Sequence, residues 1–187
     1  MKLVILDRDG VINKDSAQYI KSPEEWQAIP GSLDAIARLG RAGWRVVVAT
    51  NQSGVRRKLL DISTLARIHD KMHRQLAEIG GRVDAIFICP CTDRDRCTCR
   101  KPKPGMLNEI SERLSVSLDD VPYIGDKLSD VRAARAAGAQ PWLVRTGNGA
   151  DVEREGKDLQ GVRVFDDLAA AVSALINEER SPFPAAS

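Results

Sequence analysis

The sequence has little of what marks a membrane, secreted or nucleic-acid-binding protein. No apolar run approaches the roughly 20 residues of a membrane span, and the short apolar start runs straight into Asp7 rather than into a signal-peptide cleavage site. The 28 basic and 26 acidic side chains leave a net charge of only +2, which argues against binding nucleic acid through bulk charge. We therefore expect a soluble cytoplasmic protein, and a monomer, because no coiled-coil repeat or long apolar edge indicates an oligomer.

Cysteine is also scarce, and its placement is informative. All four cysteines lie in one short segment, as two C-x-C pairs: Cys89, Cys91, Cys97 and Cys99. A secreted disulfide scaffold would spread its cysteines along the chain. Four thiolates can close a tetrahedral zinc site with no open position, so we predict a structural zinc that organises a loop over residues 89–103. Two disulfides, free thiols or an iron–sulfur cluster are the alternatives.

Short β-branched runs alternate with helical patterns along the chain. The predicted strands cover residues 3–6, 44–49, 83–88, 121–124, 142–144 and 162–165. They lack the alternation of apolar and polar residues that is typical of a sheet with one solvent-exposed face. Helical spacing covers residues 32–42, 63–79, 106–114, 129–137 and 166–177. This alternation predicts one α/β domain over residues 1–180, with a mostly parallel sheet and helices on both faces. The Pro/Ala/Ser-rich tail, residues 181–187, is predicted to be disordered.

Polar side chains follow several of the predicted strands. Asp7 and Asp9 follow the first strand, Thr50 follows the second, and Asp126 follows the fourth. Ligands of open parallel sheets collect beyond the carboxyl ends of the strands. Two carboxylates in one tight turn repel each other, and Mg²⁺ takes oxygen ligands, so the arrangement predicts a magnesium site. Taken singly, each aspartate could equally be a turn residue or a helix cap.

The order of these motifs resembles that of the haloacid dehalogenase-like (HAD) phosphatase superfamily. The matching elements are Asp7-x-Asp9-Gly10, Thr50, Lys101 and Gly125-Asp126-x-x-x-Asp130. The resemblance implies a Rossmann-like HAD fold and an enzyme that hydrolyses phosphate monoesters. It implies that Asp7 is the nucleophile, which forms an aspartyl-phosphate, and that Asp9 acts first as general acid and then as general base. Thr50 and Lys101 would bind the phosphoryl oxygens, and Mg²⁺ would bind Asp7, Asp126 and the backbone carbonyl of Asp9.

The cysteine segment narrows the resemblance. Its pattern, Cys-Pro-x followed by Cys-x-Cys-Arg-Lys-Pro, is similar to that of the bacterial D-glycero-D-manno-heptose-1,7-bisphosphate 7-phosphatases and the related histidinol-phosphate phosphatases. In both, the second zinc ligand is usually His, whereas this chain has Cys91. The run from Thr50 to Val55, Thr-Asn-Gln-Ser-Gly-Val, favours the heptose enzymes, because the histidinol enzymes tend to have Asp in place of Ser53.

This resemblance implies a Mg²⁺-dependent sugar bisphosphate phosphatase that removes the 7-phosphate of the heptose during synthesis of ADP-heptose for lipopolysaccharide or a related glycan. A histidinol-phosphate phosphatase of histidine biosynthesis is one alternative. A non-catalytic binding module built around the zinc loop is another, from a different functional class.

The resemblance to the heptose enzymes also implies substrate contacts, through the positions that correspond along the chain. No long insertion separates the motifs, so we expect no large cap domain, and residues 13–19 would form a small flap over an open site. The candidate substrate-binding residues are Arg8, Asp15, Gln18, Asn51, Gln52, Ser53, Arg100 and Lys127. The basic run 56–58 could bind a second phosphate or be a solvated loop. His69 and His73 are expected to be exposed helix residues rather than a metal site.

Overall fold

The computed structural model describes residues 1–180, and its centre is a six-stranded sheet in which every neighbouring pair is parallel. The strands are β1 (Leu3–Leu6), β2 (Arg45–Asn51), β3 (Ala85–Cys89), β4 (Pro122–Gly125), β5 (Gln140–Val144) and β6 (Arg163–Phe165). Their spatial order is β3-β2-β1-β4-β5-β6. The α/β class and the parallel sheet predicted from the sequence are confirmed. The predicted disordered tail, residues 181–187, lies outside the described residues.

Helices connect the strands throughout the described range. They are α1 (Ser32–Arg41), α2 (Ser53–Arg56), α3 (Ile62–Glu78), α4 (Gly105–Leu114), α5 (Leu128–Ala136), α6 (Gly149–Glu155) and α7 (Leu168–Arg180). The sequence predicted five of them and missed α2 and α6, which are too short to show an amphipathic period. The helix predicted from residue 166 begins at Leu168, because Oδ1 of Asp167 accepts a hydrogen bond from the backbone N–H of Ala170 at 2.8 Å.

Both faces of the sheet are covered by helices. Val4 and Leu6 of β1 pack on one face with α1, α3 and α7, whereas Leu3 and Ile5 pack on the other face with α4 and α5. Successive side chains of a strand point to opposite faces, so a strand buried on both sides must be apolar at every position. This explains why the strand sequences lack alternation.

The strand order creates a switch point in the middle of the sheet. From β1 the chain moves outward to β2 and β3, and then returns to place β4 on the other side of β1. The carboxyl ends of β1 and β4 therefore lie side by side, with Leu6 opposite Ile124. The backbone N–H of Asp7 donates to the carbonyl oxygen of Ile124 at 2.9 Å. Parallel sheets bind ligands at such a crevice.

The connection between β1 and α1 carries the flap predicted over the site. Residues 7–31 contain two isolated bridges, Asp9 with Asn13 and Asn13 with Ala28, and no regular helix or strand. The flap predicted over residues 13–19 lies within this connection, which has too little regular structure to form a cap domain. The interpretation of residues 1–180 as one domain stays a prediction. Within the same described range, no helix is long and apolar enough to span a membrane.

Candidate active site

Charged side chains from distant parts of the chain meet at the switch point. Nζ of Lys101 lies 2.9 Å from Oδ1 of Asp7 and 2.7 Å from Oδ1 of Asp130, and all three side chains are buried. The same nitrogen donates to the carbonyl oxygen of Ala49 at 3.0 Å and to the hydroxyl of Tyr123 at 2.8 Å. Burial lowers the pKa of Lys101, but the carboxylates of Asp130 and Asp7 outweigh burial and raise it. A fixed ammonium group therefore lies beside the predicted nucleophile.

The end of β2 holds the backbone of Lys101 in place. Nδ2 of Asn51 donates to the carbonyl oxygen of Lys101, and Oδ1 of Asn51 accepts from the backbone N–H of Lys101, both at 3.2 Å. In the strand register Leu6 lies opposite Val48, so Thr50 extends just beyond the end of β1. Thr50 is buried, and its hydroxyl oxygen accepts from Nε2 of Gln52 at 2.9 Å. The strand end thus supplies polar groups where the site needs them.

Three aspartates form a candidate cation site. One oxygen from each of Asp7, Asp126 and Asp130 lies within 4.8 Å of the others. Asp126 is fully buried, and its Oδ2 accepts from the backbone and side-chain N–H groups of Asn148 at 2.9 and 3.2 Å. Its Oδ1 has no hydrogen-bond partner among the described residues, and Nζ of Lys127 stays 3.7 Å away. A buried oxygen without a donor is costly, and a hard divalent cation supplies the missing partner.

The pKa values of these carboxyl groups respond to the same burial. Burial raises the pKa of Asp7 to about 7, although the charge of Lys101 lowers it. Burial likewise raises the pKa of Asp126 to about 6, against the lowering effect of Lys127. A bound cation would favour the ionised form of both groups. Burial therefore disfavours the ionised form of both carboxyl groups, and a bound cation would offset that effect.

Two glycines allow the backbone to approach Asp126 closely. A Cβ on Gly10 would lie 2.1 Å from Oδ2 of Asp126, and a Cβ on Gly147 would lie 2.2 Å from the same oxygen. Both residues also have positive φ, +87° and +60°, which disfavours any side chain. The hydroxyl of Thr146 donates to the carbonyl oxygen of Gly10 at 2.7 Å and joins the two loops. Glycine at both positions lets these loops close around the carboxylate.

The side chain of Asp9 lies outside the carboxylate cluster. Its Oδ1 accepts from Nε and Nη2 of Arg8 at 3.0 and 2.8 Å and from Nδ2 of Asn13 at 2.9 Å. Its Oδ2 accepts from Nε2 of Gln52 at 2.9 Å. Burial raises the pKa of Asp9, but the charge of Arg8 and these hydrogen bonds outweigh burial and lower it. The sequence analysis predicted that Asp9 binds magnesium through its backbone carbonyl. The side-chain contacts described here do not test that prediction.

Some side chains lie away from their predicted positions. Arg8, predicted to contact the substrate, is 0% exposed and points to Asp9 and His69 instead. His69, expected to be exposed, is half-buried, and its Nε2 lies 3.1 Å from Nη1 of Arg8. Successive residues of an extended chain point to opposite sides, so Arg8 follows Leu6 toward α3 while Asp7 faces the site. Both sequence interpretations are therefore corrected.

An open cleft of about 290 Å³ lies at this end of the sheet. It is lined by Asp9, Asp15, Ser16, Tyr19, Ile20, Asn51, Gln52, Ser53, Arg100, Lys101, Lys127 and Ser129. Asp15 belongs to the flap, and its Oδ2 accepts from Nζ of Lys127 at 2.8 Å, so the flap is tied to the loop after β4. Most of the predicted substrate-binding side chains therefore line one cleft. Gln18 is exposed on the flap and is not part of the cleft wall.

The four cysteine sulfurs form a second candidate metal site. They lie within 4.8 Å of one another, with Sγ of Cys89 2.8 Å from that of Cys99 and 3.8 Å from that of Cys97. A tetrahedral zinc ion with bonds of about 2.3 Å to sulfur separates its ligands by about 3.8 Å. The Cys89–Cys97 distance matches this separation, whereas Cys89 and Cys99 lie closer together and would have to move apart to bind the ion. All four thiols are free in the structure. Burial opposes ionisation of Cys97, but the backbone N–H of Arg100 and the other cysteines lower its pKa to about 7.

The cysteine loop is tied to its own backbone and to α2. Nη1 of Arg100 donates to the carbonyl oxygen of Cys91 at 3.1 Å. On the surface, Arg56 lies 3.4 Å from Asp95 and Arg57 lies 3.3 Å from Asp93. These two arginines, considered as ligands for a second phosphate, therefore pair with acidic residues of the loop. The loop in turn presents Arg100 and the neighbouring lysine to the cleft.

Sequence reasoning did not assign a role to three residues that contact the charged groups of the site. Asp130 was visible in the Gly125-Asp126-x-x-x-Asp130 motif, and its Oδ1 accepts from the hydroxyl of Tyr123 at 3.1 Å. Tyr123 lies in a buried strand among apolar residues, so nothing in the amino-acid sequence indicates that its hydroxyl contacts Asp130. Asn148 lies between two glycines, which indicates a turn but not a contact with Asp126.

Comparison with known proteins agrees with this geometry. A HAD-hydrolase-like family model matches residues 98–171. A protein of Bordetella bronchiseptica named D-glycero-beta-D-manno-heptose-1,7-bisphosphate 7-phosphatase is 57% identical over 178 residues, which cover 95% of this chain and 99% of that protein. A protein of Pseudomonas aeruginosa with the same name is 52% identical over 175 residues, 93% of this chain and 97% of that protein.

Solved structures give the same result. The crystal structure of D,D-heptose 1,7-bisphosphate phosphatase from B. bronchiseptica, complexed with magnesium and phosphate, has a TM-score of 0.94 at 57% identity and covers 95% of this chain and 99% of that chain. The enzyme of the same name from Burkholderia thailandensis has a TM-score of 0.76 at 45% identity, with coverage of 94% and 99%. These relatives match nearly the whole chain, and so the chain belongs to the D-glycero-D-manno-heptose-1,7-bisphosphate 7-phosphatase family of HAD-like hydrolases.

Proposed function

We propose that this chain is a Mg²⁺-dependent phosphatase that removes the 7-phosphate of D-glycero-D-manno-heptose 1,7-bisphosphate. The buried cluster of Lys101, Asp7 and Asp130 carries the proposal. Next to it, Oδ1 of Asp126 has no hydrogen-bond donor in the described part of the chain. Buried charge of this kind is costly and is typical of functional sites. The names of the relatives favour the heptose bisphosphate over histidinol phosphate as the substrate.

In the first half-reaction, a carboxylate oxygen of Asp7 attacks the phosphorus of the 7-phosphate and the ester bond to the sugar oxygen breaks. Oδ1 of Asp7 is held by Lys101 and, at 2.7 Å, by the backbone N–H of Arg8, so Oδ2 is the oxygen left to attack. Although burial raises the pKa of Asp9, Arg8 and the hydrogen bonds lower it overall, so this carboxylate has to take up a proton as the phosphate monoester binds. It then gives that proton to the leaving oxygen, so that an alcohol rather than an alkoxide departs. The products of this step are the heptose 1-phosphate and an aspartyl-phosphate.

In the second half-reaction, water attacks the phosphorus of the aspartyl-phosphate. Asp9, now ionised, accepts a proton from this water, and inorganic phosphate leaves as the carboxylate of Asp7 is restored. The hydroxyl of Thr50 and the ammonium of Lys101 would donate to the phosphoryl oxygens in both steps. Phosphoryl transfer depends mainly on such positioning and charge stabilisation, so both residues should affect kcat strongly.

Two metal ions fit the side chains available. Asp7, Asp126 and the backbone carbonyl of Asp9 would bind Mg²⁺, which would neutralise phosphoryl oxygens and help to align the phosphate. Oδ1 of Asp126, which is buried and has no hydrogen-bond donor among residues 1–180, supports this assignment. The second ion would be a structural Zn²⁺ bound by the four sulfurs of Cys89, Cys91, Cys97 and Cys99, which lie within 4.8 Å of one another. It would fix the loop that carries Lys101 rather than take part in the reaction.

The open cleft would bind the rest of the substrate. Arg100 and Lys127 would bind the second phosphate, because both are cationic and both line the cleft. Asp15 would contact sugar hydroxyls from the flap, and Asn51, Gln52 and Ser53 would do so from the end of β2 and the start of α2. The relatives named above are specific in name for the β anomer, which supports the same preference here.

Phosphate release from purified protein tests the proposal. We expect one equivalent of phosphate per β-heptose bisphosphate, a requirement for Mg²⁺, and a kcat/KM roughly 100-fold above that for histidinol phosphate. Asp7→Asn should be folded and inactive, whereas Asp34→Asn, an exposed aspartate on α1, should be unaffected. Full activity of Asp7→Asn would refute the nucleophile assignment. No release from a broad panel of monoesters would favour the non-catalytic binding module. The cytoplasmic location and the monomeric state stay predictions, and light scattering would test the second.

A further inference from the structure

Arg8 contacts both proposed catalytic carboxylates, yet the mechanism above gives its side chain no role. Its backbone N–H donates to Oδ1 of Asp7 at 2.7 Å. Its guanidinium group places Nε and Nη2 on Oδ1 of Asp9 at 3.0 and 2.8 Å. The side chain is 0% exposed, so it cannot reach a substrate and must act through its neighbours.

The remaining end of the guanidinium group is held by His69. Nη1 of Arg8 lies 3.1 Å from Nε2 of His69. A guanidinium group has only donors, so Nε2 must be the acceptor, and the ring proton must be on Nδ1. Burial, and then the charge of Arg8, lower the pKa of His69 to about 4, which agrees with a neutral ring at neutral pH. His69 is therefore a hydrogen-bond acceptor rather than a second cation beside Arg8.

Helix α3 gives His69 a fixed position. Oδ1 of Asp61 accepts from the backbone N–H of Thr64 at 2.7 Å and caps the start of this helix. An apolar stripe on the same helix is buried against the core, and its members are Leu65, Ile68, Met72 and Leu76. The imidazole therefore stands on an anchored element, not on a loop. It can limit where the far end of the guanidinium group lies.

The fixed guanidinium group in turn determines how the carboxylate of Asp9 is oriented. Its Oδ1 already accepts from two nitrogens of Arg8 and from Nδ2 of Asn13. Its Oδ2 accepts only from Nε2 of Gln52 among the described residues, and Gln52 lines the cleft. We propose that Arg8, held by His69, is a positioning residue that keeps Oδ2 of Asp9 toward the cleft as the oxygen that transfers the proton. This inference rests on the proposed function, in which Asp9 is the general acid.

A purely structural ion pair is the competing explanation, and the leaving group separates the two. A sugar alkoxide needs a proton in order to leave, whereas 4-nitrophenolate leaves without one. The value of kcat/KM reports steps up to formation of the aspartyl-phosphate, so it isolates the step in which Asp9 is the acid. A positioning defect at Asp9 must therefore reduce kcat/KM for the sugar phosphate and spare that for 4-nitrophenyl phosphate.

The experiment compares His69→Leu, His69→Gln and the control His73→Leu on both substrates. His69→Leu removes the acceptor and should lower kcat/KM for heptose bisphosphate about 10-fold while changing that for 4-nitrophenyl phosphate by less than about 2-fold. His69→Gln keeps an acceptor oxygen and should retain most of the activity on both substrates. His73 is exposed one turn further along α3, so its replacement should leave both values unchanged. If His69→Leu does not fold, His69→Phe removes the same acceptor while keeping a ring.

Asp9→Asn distinguishes failure of this inference from failure of the proposed function. It should show a larger loss than His69→Leu, again confined to the sugar phosphate. If Asp9→Asn is selective in this way but His69→Leu loses nothing, or loses equally on both substrates, the positioning role is overturned alone. If Asp9→Asn itself is equally impaired on both substrates, its role as the acid is wrong and the inference falls with it.

Discussion

Replacing Asp7 with Asn should stabilise the protein in Mg²⁺-free buffer, and the gain should grow with pH. Asp7 is 4% exposed, and burial raises its pKa from the ordinary 3.8 to about 7 although Lys101 opposes this. Between these values the folded protein keeps a proton that the unfolded chain has released, so the free energy of unfolding falls as pH rises. At about 1.36 kcal/mol per pKa unit, the whole rise from pH 3.8 to about pH 7 lowers the free energy of unfolding of the wild type by about 4 kcal/mol.

Urea unfolding at pH 5 and pH 8 measures this effect. Asn does not titrate, so the stability gap between Asp7→Asn and the wild type should widen by roughly 3 kcal/mol from pH 5 to pH 8, the part of the interval that lies above pH 5. Other groups are common to both proteins and largely cancel in the difference. The buffer should contain no chelator, because a chelator would also strip a metal from the cysteine loop. Asp34→Asn, at an exposed site, should show no such widening.

A gap that stays constant or narrows at pH 8 would refute the reasoning. It would mean that Lys101 balances the carboxylate of Asp7 without help from a cation, so that burial is not the dominant influence. Addition of Mg²⁺ at pH 8 gives a second check on the same point. The ion should stabilise the wild type more than Asp7→Asn, because binding to the folded state raises its stability by mass action.

Three further predictions concern other parts of the site. Gly10→Ala should weaken Mg²⁺ activation and lower the free energy of unfolding by about 1–3 kcal/mol, because the new Cβ would lie 2.1 Å from Oδ2 of Asp126. Gly43→Ala is the control for backbone strain alone, since Gly43 also has a positive φ, +79°, but no atom lies near its Cβ position. Lys101→Met should lower the free energy of unfolding in urea by about 3–5 kcal/mol and abolish most activity, because two buried carboxylates lose their cation. A variant as stable as the wild type would contradict the buried ion pair. Cys91→His should keep one zinc per chain by elemental analysis while Cys91→Ala should lose it; full zinc content in the alanine variant would exclude Cys91 as a ligand.

The sequence alone was sufficient for the fold class and for the strands. Apolar β-branched runs without alternation predict strands covered on both faces, and the helical spacing between them predicts a parallel sheet. Local pattern was enough because each element buries a continuous apolar surface. The short helices α2 and α6 were missed, since four and seven residues are too few for an amphipathic pattern to be recognised.

The sequence alone also located much of the candidate site. Asp7 and Asp126 each follow a predicted strand, so the rule that ligands bind at the carboxyl ends of a parallel sheet places both at the same edge. That their two strands are neighbours was decided by the tertiary structure. The arrival of Lys101 from the cysteine loop was predicted only through the resemblance to a family. The structure then placed its ammonium group within 3 Å of both Asp7 and Asp130.

Only the tertiary structure decided what the side chains between these positions do. Arg8 was predicted to contact the substrate, but it follows β1 into the interior and meets His69, 61 residues away in sequence. Such a contact depends on how α3 packs against the sheet, and no local pattern encodes it. The same holds for Asn148 and Asp126, 22 residues apart. Periodicity and strand ends therefore determined where the chemistry lies, whereas packing between distant segments determined which oxygen of each carboxylate is held and which is left free.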